Sequence, residues 1–233
     1  MFNWQYFIIA CVGCLILYFI YGYFSKRHYF QILSLFYREN KVDEYLERLN
    51  SFSSKIFFTY KIRQLLRIDA YMAKKDYEAL DEIFTYLNST GLKPGDRYTV
   101  LQKEVIAYAD NSQDEKALKA LHEMEEMLPK FKKNQEHYQA MYNECKYIIA
   151  IKVEKDGQYA EDLAKIAREA QMPVAKGMYF IKASQSYYLR GDMKMCKNRL
   201  EDAYDYLKET TYGEEIKKII DNNELEKILN LAI

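Results

Sequence analysis

Residues 178–208, MYFIKASQSYYLRGDMKMCKNRLEDAYDYLK, have a spacing that decides the fold class. Apolar residues recur three and four positions apart on both sides of Gly191 and Asp192, as expected for two amphipathic helices joined by a short turn. Small residues such as Ala183 and Ala203 allow two helix axes to approach closely, and larger residues fill the gaps beside them. The stretch therefore predicts a helical hairpin.

This unit resembles a tetratricopeptide repeat. The positions that match the family pattern are Phe180, Ala183, Ser184, Tyr187, Cys196, Leu200 and Ala203. A second unit turns at Asn111-Ser112 and matches at Leu101, Val105, Tyr108, Ala117, Leu121 and Met124, with Pro129 after it. Weaker units turn at Asn40 and at Lys75-Asp76. A further unit over about 134–172 departs from the pattern near Asp156-Gly157. The resemblance covers most of residues 28–208 and implies an α-solenoid.

The chain as a whole is predicted to be all-α, with three parts. Equivalent breaks lie about 34 to 45 residues apart, which favours about five hairpins over residues 26–212. Residues 213–233 are expected to form capping helices, because a terminal repeat otherwise leaves its apolar face in water. Their apolar stripe is formed by Ile216, Ile219, Ile220, Leu225, Ile228 and Leu229. A peripheral membrane helix is the alternative for this tail.

Residues 4–24, WQYFIIACVGCLILYFIYGYF, lack formal charge and precede the first charged side chain, Lys26. As a helix they would reach roughly 31 Å, the thickness of a bilayer's hydrocarbon core. Aromatic residues lie near both ends of the stretch, at Trp4, Tyr6, Tyr18, Tyr21 and Tyr23. The pattern predicts a single transmembrane anchor over residues 1–25 that contacts the lipid bilayer through residues 4–24. The alternatives are a buried helix of a soluble fold and a cleaved signal peptide.

The residues that flank this stretch predict its orientation. Lys26, Arg27 and His28 follow it directly, and the positive-inside tendency would place that side in the cytoplasm. The expectation is a single-pass protein of the cell membrane, with its N-terminus outside and its repeat domain cytoplasmic. Cys11 and Cys14 are interpreted as small apolar residues in hydrocarbon. Ala10 and Cys14 have a spacing that can help helices pair.

The charge balance argues against nucleic acid as a partner. The 34 basic and 34 acidic residues give a net charge of zero, whereas broad nucleic-acid binding needs a basic surface. Of the four cysteines, only Cys145 and Cys196 lie outside the apolar stretch of residues 4–24. Two isolated cysteines do not make a disulfide framework.

The chain offers no recognisable catalytic motif. His122 begins the sequence HEMEE, but a zinc-protease motif needs a second histidine where Glu126 stands. The eight glycines form neither of the usual phosphate-binding loops. We therefore predict no enzyme activity, no cofactor and no metal. A site assembled from His122, His137 and Glu144 is the enzymatic alternative.

The resemblance implies a concave groove lined by the first helix of each hairpin. The corresponding positions are Ile62, Leu65, Met72, Gln102, Ile106, Asn143, Lys146, Met178, Ile181, Gln185 and Tyr188. This mainly apolar lining suits an amphipathic helix or hydrophobic segment of a protein partner. The expected function is a membrane-anchored scaffold or adaptor at the cytoplasmic face. An extracytoplasmic chaperone or envelope-assembly factor and a structural subunit of a membrane complex remain alternatives, and homo-oligomerisation stays open.

Overall fold

The chain folds into helices and turns, with no strand among the residues that the structure describes. The computed structural model describes the backbone of residues 4–231 and the side chains in that range other than those of residues 5–7 and 9–10. The all-α prediction is confirmed. The chain divides into two compact units, Met1–Leu92 and Lys93–Ile233.

The first unit is built from helices of very unequal length. Over its described residues they are α1 (Trp4–Tyr37), α2 (Val42–Asn50), α3 (Phe52–Phe57), α4 (Tyr60–Lys74) and α5 (Tyr77–Ser89). The end of α1 packs on α2, α2 packs on α4, and α4 packs on α5. Its core contains Ile32, Tyr45, Leu49 and Phe58. The Tyr45 hydroxyl lies in this core and donates a hydrogen bond of 2.5 Å to the Leu66 carbonyl, so its burial leaves no unpaired donor.

The second unit contains longer helix pairs. Over its described residues they are α6 (Pro94–Asp110), α7 (Asp114–Met127), α8 (Gln135–Lys152), α9 (Ala160–Glu169), α10 (Pro173–Leu189), α11 (Met193–Leu207) and α12 (Thr211–Asp221). Two short 3-10 turns, Leu128–Lys130 and Leu225–Asn230, complete it. Pro94 and Pro173 each occupy the first helical position of α6 and α10, where a missing N–H costs nothing.

Helices of the second unit pack in adjacent hairpins. Helix α6 packs on α7 and on α8, α8 contacts α10, and α10 packs closely on α11. The irregular unit departs from this pattern because α9 packs mainly against α10. The turn before α9 makes a backbone contact, since a Cβ on Gly157 would lie only 2.1 Å from the Ser186 carbonyl oxygen. That approach brings the α8–α9 turn onto the side of α10.

Each predicted hairpin turn contains a residue with a left-handed backbone. These residues are Asn40, Lys75, Ser112, Lys155 and Gly191, and Asn223 forms a sixth such turn after α12. The N–H that follows the left-handed residue reaches back over the helix end, as from Asp76 to the Tyr71 carbonyl and from Asp192 to the Tyr187 carbonyl. These bonds satisfy carbonyls that the helix end leaves unpaired. The arrangement fits a helical-hairpin array.

The structure corrects the prediction for the N-terminal stretch. Among the described residues, no helix combines the length and the apolar character that crossing a membrane requires. The predicted transmembrane helix is therefore wrong, and so is the single-pass membrane localisation with a cytoplasmic repeat domain. Helix α1 continues without a break through Lys26 and Arg27 to Tyr37, and its last turns belong to the first hairpin.

Helix α1 contacts α3 through Tyr21, whose hydroxyl donates to the Ile56 carbonyl at 3.2 Å.

Some residues of the predicted anchor can be placed and others cannot. The side chains of Cys11 and Cys14 are exposed. The side chains of Tyr6 and Ala10, which contributed to the predicted anchor, lie outside the described residues. The bilayer contact of residues 4–24 stays a prediction.

Candidate partner-binding face

The first helices of three hairpins lie side by side in the second unit. Helix α6 contacts α8, and α8 contacts α10. The predicted groove residues of this unit are distributed over them, with Gln102 and Ile106 on α6, Asn143 and Lys146 on α8, and Met178, Ile181, Gln185 and Tyr188 on α10. We call these eight residues the α6–α8–α10 face. Ile62, Leu65 and Met72 lie on α4 of the first unit.

Burial divides the predicted residues into three groups. Ile62 is 41 % exposed. Half-buried residues are Leu65, Met72, Gln102, Ile106, Asn143, Lys146, Met178 and Tyr188. Ile181 and Gln185 are both 0 % exposed. The α6 and α8 parts of the face are thus open to solvent, whereas the middle of α10 is covered.

The cover over α10 is the C-terminal end of the described chain. Leu225, Ile228 and Leu231 are buried and share a core with Ile181 and Phe180. The Gln185 side-chain amide, Nε2, donates to the Ile228 carbonyl at 2.8 Å and to the Leu231 carbonyl at 3.3 Å. Sequence reasoning assigned this tail to capping. No local pattern marks Gln185 as its partner, because the contact joins residues far apart in the chain.

Polar side chains make the open part of the face chemically mixed. Gln139 Nε2 donates to Asn143 Oδ1 at 3.0 Å, which fixes the orientation of the Asn143 amide. The Lys146 ammonium lies 5.9 Å from the Tyr142 ring centroid and 5.6 Å from that of Tyr159. Both distances are within the range of a cation–π contact.

An ion pair beneath the face joins α8 to α10. Lys182 Nζ donates to Glu144 Oε2 at 2.6 Å, and the Tyr179 hydroxyl donates to Glu144 Oε1. Burial raises the pKa of Tyr179, and the Glu144 carboxylate raises it further. The phenol therefore stays protonated and continues to donate. This network fixes the spacing of the two helices under the face.

A second, partly buried network supports α6, and the sequence did not predict it. Arg97 Nε and Nη2 bind both carboxylate oxygens of Glu123 at 2.8 and 2.6 Å, and Nη1 donates to Glu104 at 3.0 Å. Hydrogen bonding to Arg97 lowers the pKa of Glu123. Glu123 stands three residues after Ala120 and four before Met127, two buried residues of α7, and this spacing is the signal that could have identified it.

Residues of the alternative enzymatic site contact separate partners. His122 is exposed, with Nε2 3.4 Å from Glu126 Oε1. His137 packs against the Tyr138 ring, and Glu144 binds Tyr179 and Lys182. Across the described residues, no group of three His, Cys, Asp or Glu side chains could hold a metal ion.

Comparison with protein-family models, with curated proteins and with solved structures gave no match. The function is therefore argued from the geometry of the chain itself.

Proposed function

We propose that this chain is a helical-repeat scaffold that binds a segment of a protein partner on the α6–α8–α10 face. The observation that carries the proposal is the packing of residues 225–231 against α10. That part of the face already binds a peptide segment through apolar side chains and through hydrogen bonds from Gln185 to main-chain carbonyls. A surface that binds one short segment this way has the chemistry to bind another.

The open part of the face supports the same conclusion. Ile106 and Met178 offer half-buried apolar surface, and Gln102 and Asn143 offer amides that can pair with the main chain of a bound segment. The Glu144–Lys182 pair holds α8 and α10 in place before any partner arrives. A preformed surface loses less conformational entropy on binding than a flexible one.

The test is partner capture by the full chain. A tagged chain expressed in its native cells would be crosslinked and purified, beside variants Ile106→Glu and Leu118→Glu. Ile106 lies on the face, whereas Leu118 is 42 % exposed on the second helix of the same hairpin. Both variants place a carboxylate on a partly exposed apolar position, so they are matched.

We expect a stoichiometric protein partner that is captured by the wild type and by Leu118→Glu, and is lost with Ile106→Glu. Circular dichroism must show that both variants keep the helical content of the wild type. Equal capture by the two variants would rule out the face. The same result would leave any role of the C-terminal tail to a separate test.

A further inference from the structure

Residues 225–231 bind to α10 as a small ligand would. A 3-10 helix has three residues per turn, so residues three apart lie on one side. Leu225, Ile228 and Leu231 share that side and are 9 %, 0 % and 1 % exposed. On the other side Glu226 and Asn230 are exposed, and Lys227 pairs with Glu224 at 2.7 Å. The segment therefore presents a compact apolar edge to α10 and a polar edge to water.

Gln185 recognises this segment through its main chain. Its Nε2 donates to two tail carbonyls, while its Oε1 has no hydrogen-bond partner among the described residues although the side chain is 0 % exposed. A buried amide costs free energy unless it is paired. The two carbonyls that accept from Gln185 Nε2 both belong to the tail, and carbonyls of any other segment at the same place would serve equally.

The connection of the tail to α12 is short. Helix α12 ends at Asp221, and Asn223 then adopts φ +54° before the 3-10 turn begins. A cavity of about 490 Å³ lies along the tail, lined by Tyr188, Met193, Lys197 and Leu225 among others. Three residues, 222–224, thus join α12 to the 3-10 turn of the tail.

We propose that residues 222–231 are an intramolecular ligand that occupies the α10 end of the face until a partner segment displaces it. The partner segment has the chemistry of the tail: apolar side chains at positions i, i+3 and i+6, and main-chain carbonyls that accept from Gln185. This inference rests on the proposed function, since it specifies what the same face selects.

Tethering explains why the tail occupies the site in the isolated chain. A segment held by a short linker has an effective concentration of about millimolar. A free peptide of equal intrinsic affinity must exceed that concentration to replace it. The apparent Kd of a partner equals its intrinsic Kd divided by the fraction of molecules whose site is open, so a small open fraction weakens binding.

The experiment uses the full chain and a fluorescent peptide with the sequence of residues 222–231, NNELEKILNL. The double variant Ile228→Glu, Leu231→Glu weakens the chain's own tail, and Asn230→Glu is the control because it adds a carboxylate on the exposed side of the same segment. Fluorescence anisotropy measures peptide binding to each. We expect the double variant to bind the peptide at least roughly tenfold more tightly than the wild type or the control.

Gln185→Met in the double-variant background tests the main-chain contact. This change keeps the side-chain length but removes both donors. We expect peptide binding to weaken by roughly tenfold, as the loss of two hydrogen bonds predicts. A peptide with glutamate at its Ile and its last Leu positions should fail to bind any of the chains.

Every other outcome overturns the proposal. A folded double variant that does not bind the peptide shows that the seat cannot act as a site. A wild type that binds as tightly as the double variant shows that the tail does not compete. A double variant that loses its helical circular dichroism shows that the tail is an integral part of the core. If any of these occurs while Ile106→Glu still abolishes partner capture, the proposed function stands and only the role of the tail fails.

Discussion

Single residues with left-handed backbones define where the hairpins turn. Asn40 and Gly191 are residue types that tolerate this conformation, and the sequence marks them clearly. Lys75 and Ser112 adopt it as well, with φ +53° at each. The sequence predicts turns at these places from breaks in apolar spacing. It does not predict which residue takes the strained conformation, because lysine and serine carry no backbone signal of their own.

Substitutions at two of these turn residues, Ser112 and Gly191, should change the free energy of unfolding in opposite directions. Ser112→Gly should stabilise the chain by about 0.5–1 kcal/mol, because glycine avoids a left-handed cost of about 1–2 kcal/mol but loses more entropy on folding. Gly191→Ala should destabilise it by about 1 kcal/mol. A Cβ there meets nothing within 4 Å, so only backbone strain acts. Urea denaturation followed by circular dichroism measures both, and shifts of the same sign would contradict this reasoning.

His28 makes the first unit sensitive to acid. Its ring is 7 % exposed and stacks on Phe58, and its Nε2 lies 2.9 Å from Ser54 Oγ. The Ser54 hydroxyl donates a hydrogen bond to the Arg48 carbonyl at 2.6 Å. In the contact between His28 and Ser54, the histidine nitrogen must therefore be the donor. Burial lowers the pKa of His28 from 6.5, and the charge of Arg48 lowers it further.

The sign of the acid effect follows from linkage. The unfolded chain takes up a proton near pH 6.5 while the folded chain does not, so the stability contributed by neutral His28 is complete above pH 6.5 and is lost as pH falls toward the lower folded pKa. His28→Gln should remove this dependence, since its amide can still donate to Ser54. His122→Gln, at an exposed position, is the control. Denaturation midpoints at pH 7 and pH 5 test the difference, and an unchanged slope in His28→Gln would exclude this assignment.

Among the elements, the hairpin of α10 and α11 follows the sequence most closely. The small residues predicted at the helix crossing, Ala183, Ser184, Cys196 and Ala203, are all 0 % exposed. Ser184 Oγ donates to the Cys196 carbonyl at 2.6 Å, so even the polar member of the crossing is paired. Periodicity and residue size were sufficient here because the contacts are local. The packing of α9 on α10 could not be predicted in this way, since it depends on Gly157 approaching a distant carbonyl.

Gly177 on α10 should be required for the close packing of α10 on α11. A Cβ at this position would lie 2.4 Å from Leu207 Cγ on α11. Gly177→Ala should therefore cost about 1–3 kcal/mol through overpacking, despite the better helix propensity of alanine. Gly91→Ala, which meets nothing within 4 Å, should change stability by less than about 0.5 kcal/mol.

A double-variant cycle separates overpacking from other causes. Adding Leu207→Ala to Gly177→Ala removes the atoms in conflict, so the combined loss should be smaller than the sum of the single losses. Additive losses in urea denaturation would show that Gly177 is required for another reason.

Across the whole molecule, the sequence predicted the class of fold but not how the chain covers its own surface. The repeat spacing and the turns follow from short-range patterns, and they agree with the helices observed. The apolar N-terminal stretch predicted a transmembrane anchor, and this prediction was wrong. The stretch belongs to a longer helix, α1, which extends into the first hairpin. The seat of the tail on Gln185 was not predictable, because apolar spacing in residues 225–231 is the same whether the segment caps a repeat end or crosses a groove.

A buried phenol and buried thiols in the second unit predict a loss of stability in alkali. Burial raises the pKa of Cys145 from 9.0 to about 12 and the pKa of Tyr142 from 10.0 to about 12. In the unfolded chain these groups ionise near their ordinary values. The stability that their neutral forms contribute is therefore complete below about pH 9 and declines as pH rises toward 12.

The alkaline decline can be divided by residue. Cys145→Ala removes one of two buried thiols, whose unfolded pKa is lower than that of a phenol, so it should partly flatten the stability curve between pH 9 and 10 and leave the tyrosine-dependent part above pH 10 unchanged. Denaturation at stepped pH, followed by circular dichroism and by tyrosinate absorbance, measures the two parts. Cys196→Ala, which removes a second buried thiol whose pKa burial also raises, should have a similar effect. A curve that keeps its wild-type slope from pH 9 to 10 in both variants would show that neither thiol resists ionisation in the folded chain.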